Sequence, residues 1–148
     1  MFQSAFASAE ASPGFMLWQV ANLWQRRQRE ALAPLSLTHV QFVLLAGLSH
    51  LAGQDESVTQ IKLAQHVQTD EMMTSQVVRT LEGKGLVERV PHPTDARAKA
   101  LRITNEGAAV VNEAVRHVEA VDTTFFAVLD TRTPEFSEML HQLATANR

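Results

Sequence analysis

Residues 81–104 read LEGKGLVERVPHPTDARAKALRIT, a run that holds a helix ending, two alternating segments and a cationic loop. Gly85 fits the position just after a helix, where a left-handed backbone is common. The pentapeptides LVERV and ALRIT alternate apolar and polar residues, as half-buried β-strands do. The loop 91–98 joins them and carries Arg97. We therefore predict a helix that ends at Gly85, followed by a two-stranded antiparallel wing.

A helix with a strong start signal is predicted upstream. Thr38 and Gln41 have the spacing of a capping box, in which each side chain bonds the other residue's backbone N–H. Leu37 and Phe42 are spaced as a hydrophobic staple across the same helix start. The apolar segment that follows predicts a helix that ends at Gly53.

Shorter elements connect this helix to the wing. Residues 56–58 (ESV) predict a short strand, and Thr59 is a suitable N-cap for the next helix. A brief gap precedes a further helix, which begins near Asp70 and buries Val78 and Leu81. The order is helix, helix, short strand, helix, helix and wing. The predicted fold is therefore mainly α with a small β-wing, a winged helix-turn-helix.

Both ends of the chain predict helices that are too apolar to stand alone. Residues 15–24 (FMLWQVANLW) are apolar on nearly every side, and their helix stops before Pro34. Thr104 can cap a long helix that runs to about Asp130, and Pro134 is predicted at the first position of a final helix. The long helix carries a seam of apolar residues: Val111, Ala114, Val118, Val121, Phe125 and Val128. Two such arms predict a dimer.

Composition bounds the class of protein. The 148 residues are 45% hydrophobic and 20% charged, which favours a folded globule. The chain has no cysteine, which excludes disulfides, thiol switches and cysteine zinc sites, and this suits a cytoplasmic protein. The longest apolar runs are too short to span a bilayer, so we predict no membrane association. Residues 1–14 lack the cationic start of a signal peptide and are interpreted as a frayed or swapped arm.

The net charge of −3 hides an uneven distribution. Residues 79–102 carry six Lys or Arg against three acids, whereas residues 51–78 carry one Lys against four acids. A surface that binds phosphates needs such a local excess of positive charge, and the whole chain need not be basic. An ordinary mixed surface has a similar composition, so charge alone leaves both interpretations open.

Taken together, these segments resemble the MarR family of bacterial transcription regulators. The resemblance runs from about Phe15 to Leu143, and Asp95, Arg97 and Lys99 match the family's Asp-x-Arg-x-Lys wing pattern. Three segments carry it in the right order: LTHVQFVLL at 37–45, LAQHVQTDEMMTSQVVRTLEGKGLVER at 63–89, and DARAKALRITNEG at 95–107.

The resemblance implies a single MarR-like domain over residues 1–148. Dimerisation helices would occupy about 15–34 and 105–146, and the winged helix-turn-helix about 36–104. It also implies a homodimer that binds a pseudo-palindromic double-stranded DNA operator, as a ligand-responsive repressor. Because a two-fold dimer presents two equal reading helices, half-sites about 10 bp apart are expected. No phosphate loop, nucleophile motif or HExxH is present, so we predict neither an enzyme nor a cofactor.

The helix that begins near Asp70 is the predicted reading helix. Gln76 can bond adenine edges, Arg79 can form paired bonds to guanine, and Ser75 can donate or accept. Met72 and Met73 stand where the family commonly has polar residues, and we predict contacts with thymine methyl groups. Two alternatives stay open, namely that one methionine fills the core and that Arg79 pairs with an acid of the same chain.

The wing is predicted to enter the minor groove through Arg97, because negative potential there attracts a guanidinium. Asp95, two residues earlier, is expected to orient the arginine or its hairpin. Four other residues are candidates for phosphate contacts: Arg89, His92, Lys99 and Arg102. A solvated loop charge is the alternative interpretation of Arg97.

The resemblance further implies a small aromatic or anionic effector, bound between the arms and the reading helices. The residues predicted to line its pocket are Phe15, Trp18, His39 and Phe42, with Trp24 beside them. Arg26 or Arg27 would face an anion. The alternative is that these aromatic residues form the dimer core.

Two other classes of function are weighed against DNA binding. Winged helices also serve as protein-interaction modules, whose binding should respond little to salt, whereas DNA binding weakens steeply as salt rises. A metal-responsive regulator would use His50, Glu56 or His66. No two histidines have the i, i+4 spacing of a helical metal site, and we predict no metal site.

Overall fold

The computed structural model describes residues 1–54 and 57–148. It is mainly helical with one small sheet, as predicted. The elements are α1 (Pro13–Leu32), α2 (His39–Ala52), α3 (Gln60–Val67), α4 (Glu71–Gly83), β1 (Val87–Pro91), β2 (Lys99–Ile103), α5 (Asn105–Phe125) and α6 (Thr133–Ala146). Short 3-10 segments lie at Ala9–Ala11, Ala33–Leu35 and Ala127–Arg132.

Helix α2 is the centre of the core. The Thr38 hydroxyl accepts the Gln41 N–H at 3.2 Å and the Gln41 side-chain carbonyl accepts the Thr38 N–H at 3.2 Å, so the predicted capping box is confirmed. The helix ends at Gly53, as predicted. Its buried face packs against α3, α4, α5 and β2. Because α2 is apolar on most sides, the other elements can all bury their own apolar faces against it.

The wing is an antiparallel hairpin that also contacts the segment between α2 and α3. β1 and β2 pair antiparallel, from Val87 opposite Ile103 to Pro91 opposite Lys99, which confirms the predicted hairpin. The N–H of Leu101 donates to the carbonyl of Val58 at 2.7 Å. This is an isolated bridge, where a short strand over 56–58 was predicted. Glu56, the first residue of that prediction, lies outside the described residues.

Thr104 ties the reading helix, the wing and α5 together. Its hydroxyl donates to the carbonyl of Gly85 at 2.7 Å and accepts the N–H of Gly107 at 3.0 Å, as an N-cap does. Its own N–H donates to the carbonyl of Leu86 at 3.1 Å. Gly85 adopts a φ of 74°, as the prediction of a helix-ending glycine requires. The end of α4 and the start of α5 are therefore held by the same residue.

Helix α5 is shorter than predicted. It ends at Phe125, and a 3-10 segment follows in which Asp130 has a φ of 48°. The α-helix thus gives way to the 3-10 segment after Phe125, before the end predicted near Asp130, so the predicted extension is wrong. The apolar seam is also shorter than predicted, because Val128, its last predicted member, is 83% exposed. Pro134 is the second residue of α6, one position later than predicted.

The arms expose an unusual amount of apolar surface. Helix α6 has no buried residue, and α1 buries only Gln28 and Leu32. A groove of about 370 Å³ lies between α1 and α6. We use the name arm face for six exposed apolar side chains of these two helices: Leu17, Trp18, Leu23, Met139, Leu140 and Leu143.

Within residues 1–54 and 57–148, no single helix is both long and apolar enough to cross a membrane. Only α1 (with the 3-10 turn after it) and α2 together reach that length and composition, as a pair bent by 78°.

The junction at Thr104 yields a stability prediction. A Cβ added at Gly107 would lie 2.0 Å from the carbonyl oxygen of Leu86, a backbone atom that cannot move without disturbing the wing. We expect Gly107→Ala to lower the free energy of unfolding by about 1–3 kcal/mol, measured by chemical denaturation. Gly83→Ala is the matched control, because nothing lies within 4 Å of its added Cβ. It should leave stability unchanged or raise it by roughly 0.5–1 kcal/mol, and equal effects of the two changes would contradict the packing argument.

Candidate nucleic-acid interface

Helix α4 is fixed in orientation by its first turn. The Asp70 carboxylate accepts the N–H of Met73 at 2.8 Å, so this acid caps the helix. Thr74 is fully buried, and its hydroxyl bonds the carbonyl of Asp70 and the hydroxyl of Thr69, each at 2.8 Å. Because Val78 is buried on the same side, the opposite face of α4 points away from the core.

The outward face of α4 carries the predicted reading residues. Met72 is 77% exposed and Met73 is 44% exposed, and Gln76 and Arg79 are also exposed. Neither methionine is buried, so the alternative that one of them fills the core does not hold in this structure. The four side chains form a mixed polar and apolar surface that can meet both hydrogen-bonding base edges and methyl groups.

Ser75 and Arg79 form a pair on the same helix. The Nη2 of Arg79 donates to the Ser75 hydroxyl at 3.0 Å, across one helical turn. Arg79 thus bonds a hydroxyl where the alternative interpretation expected an acid. A neutral partner leaves the full charge of the guanidinium, and its remaining N–H groups stay available to an acceptor outside the protein.

Two arginines that were predicted to contact phosphates form side-chain pairs within the protein. Arg89 bonds Glu82 of α4 at 2.8 Å and Gln60 of α3 at 3.0 Å, so it links the wing to both helices. Arg102 bonds Glu88 of the neighbouring strand at 2.6 Å. These are surface pairs, which typically contribute about 0–1 kcal/mol and can rearrange when a phosphate approaches.

The wing tip presents its cations outward. Arg97 and Lys99 are both exposed. The carboxylate of Asp95 accepts the backbone N–H of Arg97 at 3.0 Å, so it organises the chain at the arginine, as expected from its position two residues earlier. The Nδ1 atom of His92 accepts the backbone N–H groups of Thr94 at 3.2 Å and Asp95 at 3.0 Å. That ring nitrogen is therefore occupied and cannot donate to a phosphate.

A cavity of about 450 Å³ lies where the arm meets the reading helix. Its lining comes from α1, from α2 with its N-cap, and from the first turn of α4 together with Thr69, the residue before the N-cap of α4. The lining residues are Gln25, Arg29, Thr38, His39, Val40, Val43, Thr69 and Met73.

One protomer does not bring the predicted pocket residues together. Of the four, only His39 lines this cavity. Phe42 is 8% exposed and belongs to the core, while Trp18 is 68% exposed and lies on the arm face. Phe15 lines a different cavity, beside Phe2. Within one protomer these side chains lie on different faces of α1 and α2, so a pocket that they share between the arms of a dimer stays a prediction.

The cation at this cavity is Arg29, where Arg26 or Arg27 was predicted. Gln25 and Arg29 are four residues apart and so share one face of α1. The spacing is visible in the sequence, but which face of α1 meets α2 is set by the packing angle of the two helices. A second contact that the sequence does not reveal is Lys84, whose Nζ donates to Gln41 at 3.0 Å and to the carbonyl of Ser36.

His39 lies at the contact of α1, α2 and α5. Its ring meets the Trp24 indole edge to face, with centroids 5.0 Å apart. The indole N–H donates to Asp122 at 2.7 Å, and the buried Gln28 donates to the same carboxylate at 2.9 Å. Burial lowers the pKa of His39 below its ordinary value of 6.5; the nearby Asp122 carboxylate opposes that shift, and the Arg29 guanidinium adds to it.

Two of the three residues of the metal-responsive alternative, His50 and His66, are among the described residues. His50 and His66 stack with their ring centroids 5.4 Å apart and their planes 12° from parallel. Glu56 lies outside the described residues. Across residues 1–54 and 57–148, no group of three or more His, Asp or Glu side chains is arranged to hold a metal ion. Stacked rings direct their nitrogen lone pairs side by side, which is a poor geometry for sharing one ion.

These elements define a class of protein. An exposed helix capped at Asp70, a preceding helix packed across it and a cationic wing beside it form a winged helix-turn-helix DNA-binding protein. The MarR family model matches residues 37–99, which include α2, α3, α4 and the start of the wing. In Bacillus subtilis, the uncharacterized HTH-type transcriptional regulator YdcH is 48% identical over 126 residues, which cover 85% of this chain and 86% of that protein. The chain belongs to the MarR family and is a DNA-binding transcriptional regulator.

Other relatives include proteins of known structure. The HTH-type transcriptional repressor Rv2887 of Mycobacterium tuberculosis is 30% identical over 137 residues, covering 92% of this chain and 96% of that protein. Its structure in complex with salicylic acid aligns with a TM-score of 0.68 at 29% identity, over 90% of this chain and 96% of that one. CouR from Rhodococcus jostii RHA1, bound to p-coumaroyl-CoA, aligns with a TM-score of 0.81 at 26% identity, over 94% of this chain and 96% of that one.

The environment of His39 predicts a pH dependence. Because its pKa is lowered on folding, the unfolded chain binds this proton more readily, and the free energy of unfolding falls as the pH drops below 6.5 towards the lowered value. We expect His39→Gln to remove this part of the acid destabilisation, measured by urea denaturation at a series of pH values. The control His141→Gln removes an exposed imidazole from α6 and should keep the wild-type profile. A wild-type profile in His39→Gln would contradict the assignment.

Proposed function

We propose that the chain is a ligand-responsive repressor that binds a pseudo-palindromic operator as a homodimer in the cytoplasm. It acts by binding DNA and catalyses no reaction. The observation that carries this proposal is the exposed face of α4 next to the outward cations of the wing. In the proposed division of the chain, residues 36–104 bind DNA, and residues 15–34 and 105–146 hold the two copies together.

In the proposed complex, α4 lies in the major groove. Gln76 recognises adenine and Arg79 recognises guanine, each through paired hydrogen bonds to the base edge. The bond from Arg79 to Ser75 supports this role, because it restricts the arginine before DNA arrives and reduces the entropy lost on binding. Met72 and Met73 offer exposed apolar contacts to thymine methyl groups.

The wing contacts the DNA backbone and the minor groove in this proposal. Arg97 inserts into the minor groove, where the potential of the phosphates is most negative. Lys99 is exposed on the same hairpin and contacts a phosphate. Arg89 and Arg102 supply further phosphate contacts by exchanging their partners Glu82 and Glu88. The wing thus holds the register of α4 without contributing most of the sequence specificity.

The arm face is the proposed site of dimerisation. An apolar surface of this kind on two terminal helices is costly in water, and a second copy can bury it. A specific interface of this sort usually buries about 1,200–2,000 Å² in total. Two-fold pairing then presents two copies of α4 to half-sites about 10 bp apart on one side of the duplex.

The cavity at His39 is the proposed effector site. It touches α1, α2 and α4 together, so a molecule bound there contacts the arm and the reading helix at once. Arg29 offers a positive charge and Val40 and Val43 offer apolar surface, which suits a small aromatic or anionic molecule. The relatives bound to salicylic acid and to p-coumaroyl-CoA support this class of ligand. Release of DNA requires that the effector bind more tightly to the DNA-free arrangement of the reading helices.

The central test is the selection of bound sequences from a random duplex pool with the purified full-length protein. The proposal predicts an enriched inverted repeat whose half-sites lie about 10 bp apart. Affinity for the enriched duplex should fall steeply as salt rises. Enrichment of no sequence, or binding that is insensitive to salt, would favour the protein-interaction alternative.

The proposed role of the wing is tested with Arg97→Ala. We expect the change to weaken binding to the selected duplex by about 1–3 kcal/mol and to reduce the salt slope by about 1, measured by fluorescence anisotropy across a salt series. Arg148→Ala removes the same charge from the last residue of the chain and is the control. An unchanged affinity and salt slope in Arg97→Ala would remove the wing from the mechanism.

The proposed dimer is tested with Leu140→Glu, which places a charge on the arm face. Burial of an unpaired carboxylate is unfavourable, so we expect a monomer at micromolar concentration by light scattering, and loss of binding to the full inverted repeat. Gln142→Glu adds the same charge to the same helix without removing apolar surface, and should remain dimeric. A dimeric Leu140→Glu protein would show that this face is not the interface.

A further inference from the structure

We propose that His92 acts as a hydrogen-bond acceptor that closes the wing turn and so positions Arg97 for DNA. This differs from a phosphate contact, which is the role that its place among the wing cations suggests. The inference rests on the proposed DNA-binding role of the wing. His92 is a positioning residue here, because it acts through the backbone of the turn.

The hydrogen bonds of the ring fix its chemical form. Nδ1 lies 3.2 Å from the backbone nitrogen of Thr94 and 3.0 Å from that of Asp95. A backbone N–H can only donate, so Nδ1 must offer a lone pair to both. The tautomer that fits both bonds is the one with its proton on Nε2. A protonated imidazole has no acceptor and would present a hydrogen towards two donors.

The residue between them explains why the ring reaches these two donors. Pro93 has no backbone N–H and a restricted φ, so the first donors after His92 are those of Thr94 and Asp95. Short side chains such as those of Asn and Ser commonly accept from the same relative positions in turns. His92 performs the same function with a longer side chain, and gives both N–H groups a partner within the loop.

The closed turn passes its geometry on to Arg97. The carboxylate of Asp95 accepts the N–H of Arg97 at 3.0 Å, and the carbonyl of Asp95 accepts the N–H of Ala98 at 3.2 Å. The N–H of His92 in turn donates to the carbonyl of Ala98 at 3.4 Å, which closes the loop at its base. His92 thus fixes the position of Asp95 through its backbone N–H, and the Asp95 carboxylate fixes the backbone of Arg97. Removal of the acceptor at residue 92 frees the segment that carries the arginine.

Two substitutions separate the acceptor role from a phosphate contact. His92→Asn keeps a side-chain acceptor suited to turns and carries no charge. His92→Lys carries a positive charge that can reach a phosphate and has no acceptor. A positioning role predicts that the His92→Asn protein binds DNA more tightly than the His92→Lys protein. A phosphate contact predicts the reverse order.

The first measurement does not involve DNA. Long-range proton–nitrogen NMR spectra of the histidine side chains should show His92 as the Nε2–H tautomer in the free protein. Amide exchange at Thr94 and Asp95 should be slow in the wild type and in His92→Asn, and faster in His92→Lys. A proton on Nδ1, or equal exchange rates in all three proteins, would overturn the turn closure itself.

The second measurement uses the duplex selected from the random pool. We expect His92→Asn to bind about fivefold to tenfold more tightly than His92→Lys, as two modest backbone hydrogen bonds permit. In an Arg97→Ala background the difference between Asn and Lys should vanish, because the positioned group is absent. Tighter binding by His92→Lys, or a difference that persists without Arg97, would overturn the positioning role.

The two measurements also distinguish failure of this inference from failure of the proposed function. If the wild-type protein enriches no duplex, the proposed function and the proposed effect of His92 on Arg97 are both overturned. The NMR result then still decides whether His92 closes the turn. A wild-type protein that binds its selected duplex, together with a persistent Asn–Lys difference in the Arg97→Ala background, overturns only the role of His92.

Discussion

The close approach of two backbones at Thr104 holds the winged helix-turn-helix to α5. The hydroxyl of Thr104 joins the end of α4 to the start of α5, and Gly107 lets the carbonyl of Leu86 come within a distance that any side chain would prevent. A dimeric regulator reads its operator only if both copies of α4 are held at a defined separation. Because α5 is part of the arm, this junction would transmit the geometry of the proposed dimer to the DNA-binding surface.

A second connection joins the end of α4 to the start of α2. Lys84 at the end of α4 bonds Gln41, whose side chain also belongs to the capping box that starts α2. His39 stands two residues before Gln41 and lines the cavity that Met73 closes from α4. The reading helix thus meets the start of α2 at both ends, through the cavity that Met73 lines in its first turn and through its C-cap residue Lys84. In the proposed effector complex, a molecule in this cavity would contact a helix whose two ends meet the start of α2, so a small movement there would turn α4 as a unit.

The sequence predicted the local structure well and the contacts between elements poorly. The caps at Thr38, Thr59 and Thr104 and the alternation of the wing strands depend on neighbours within a few residues, and the structure agrees with them. Arg29 lines the cavity in place of Arg26 or Arg27, and Arg89 pairs with residues of α3 and α4. Both outcomes depend on the angles at which the helices cross, which no short sequence pattern encodes. The positive φ of Asp130 was not predicted for a related reason, since no residue near it in the sequence requires one.

The two tryptophans of the chain occupy environments that make them separate optical reporters. Trp18 is exposed on the arm face, so its emission should shift to the blue when two copies associate. Trp24 donates to Asp122 and packs on His39, which lines the cavity, so its fluorescence intensity should change when a molecule occupies that cavity. Replacing either indole with phenylalanine leaves the other as the sole fluorophore. Assembly and small-molecule binding can then be followed independently, without any attached dye.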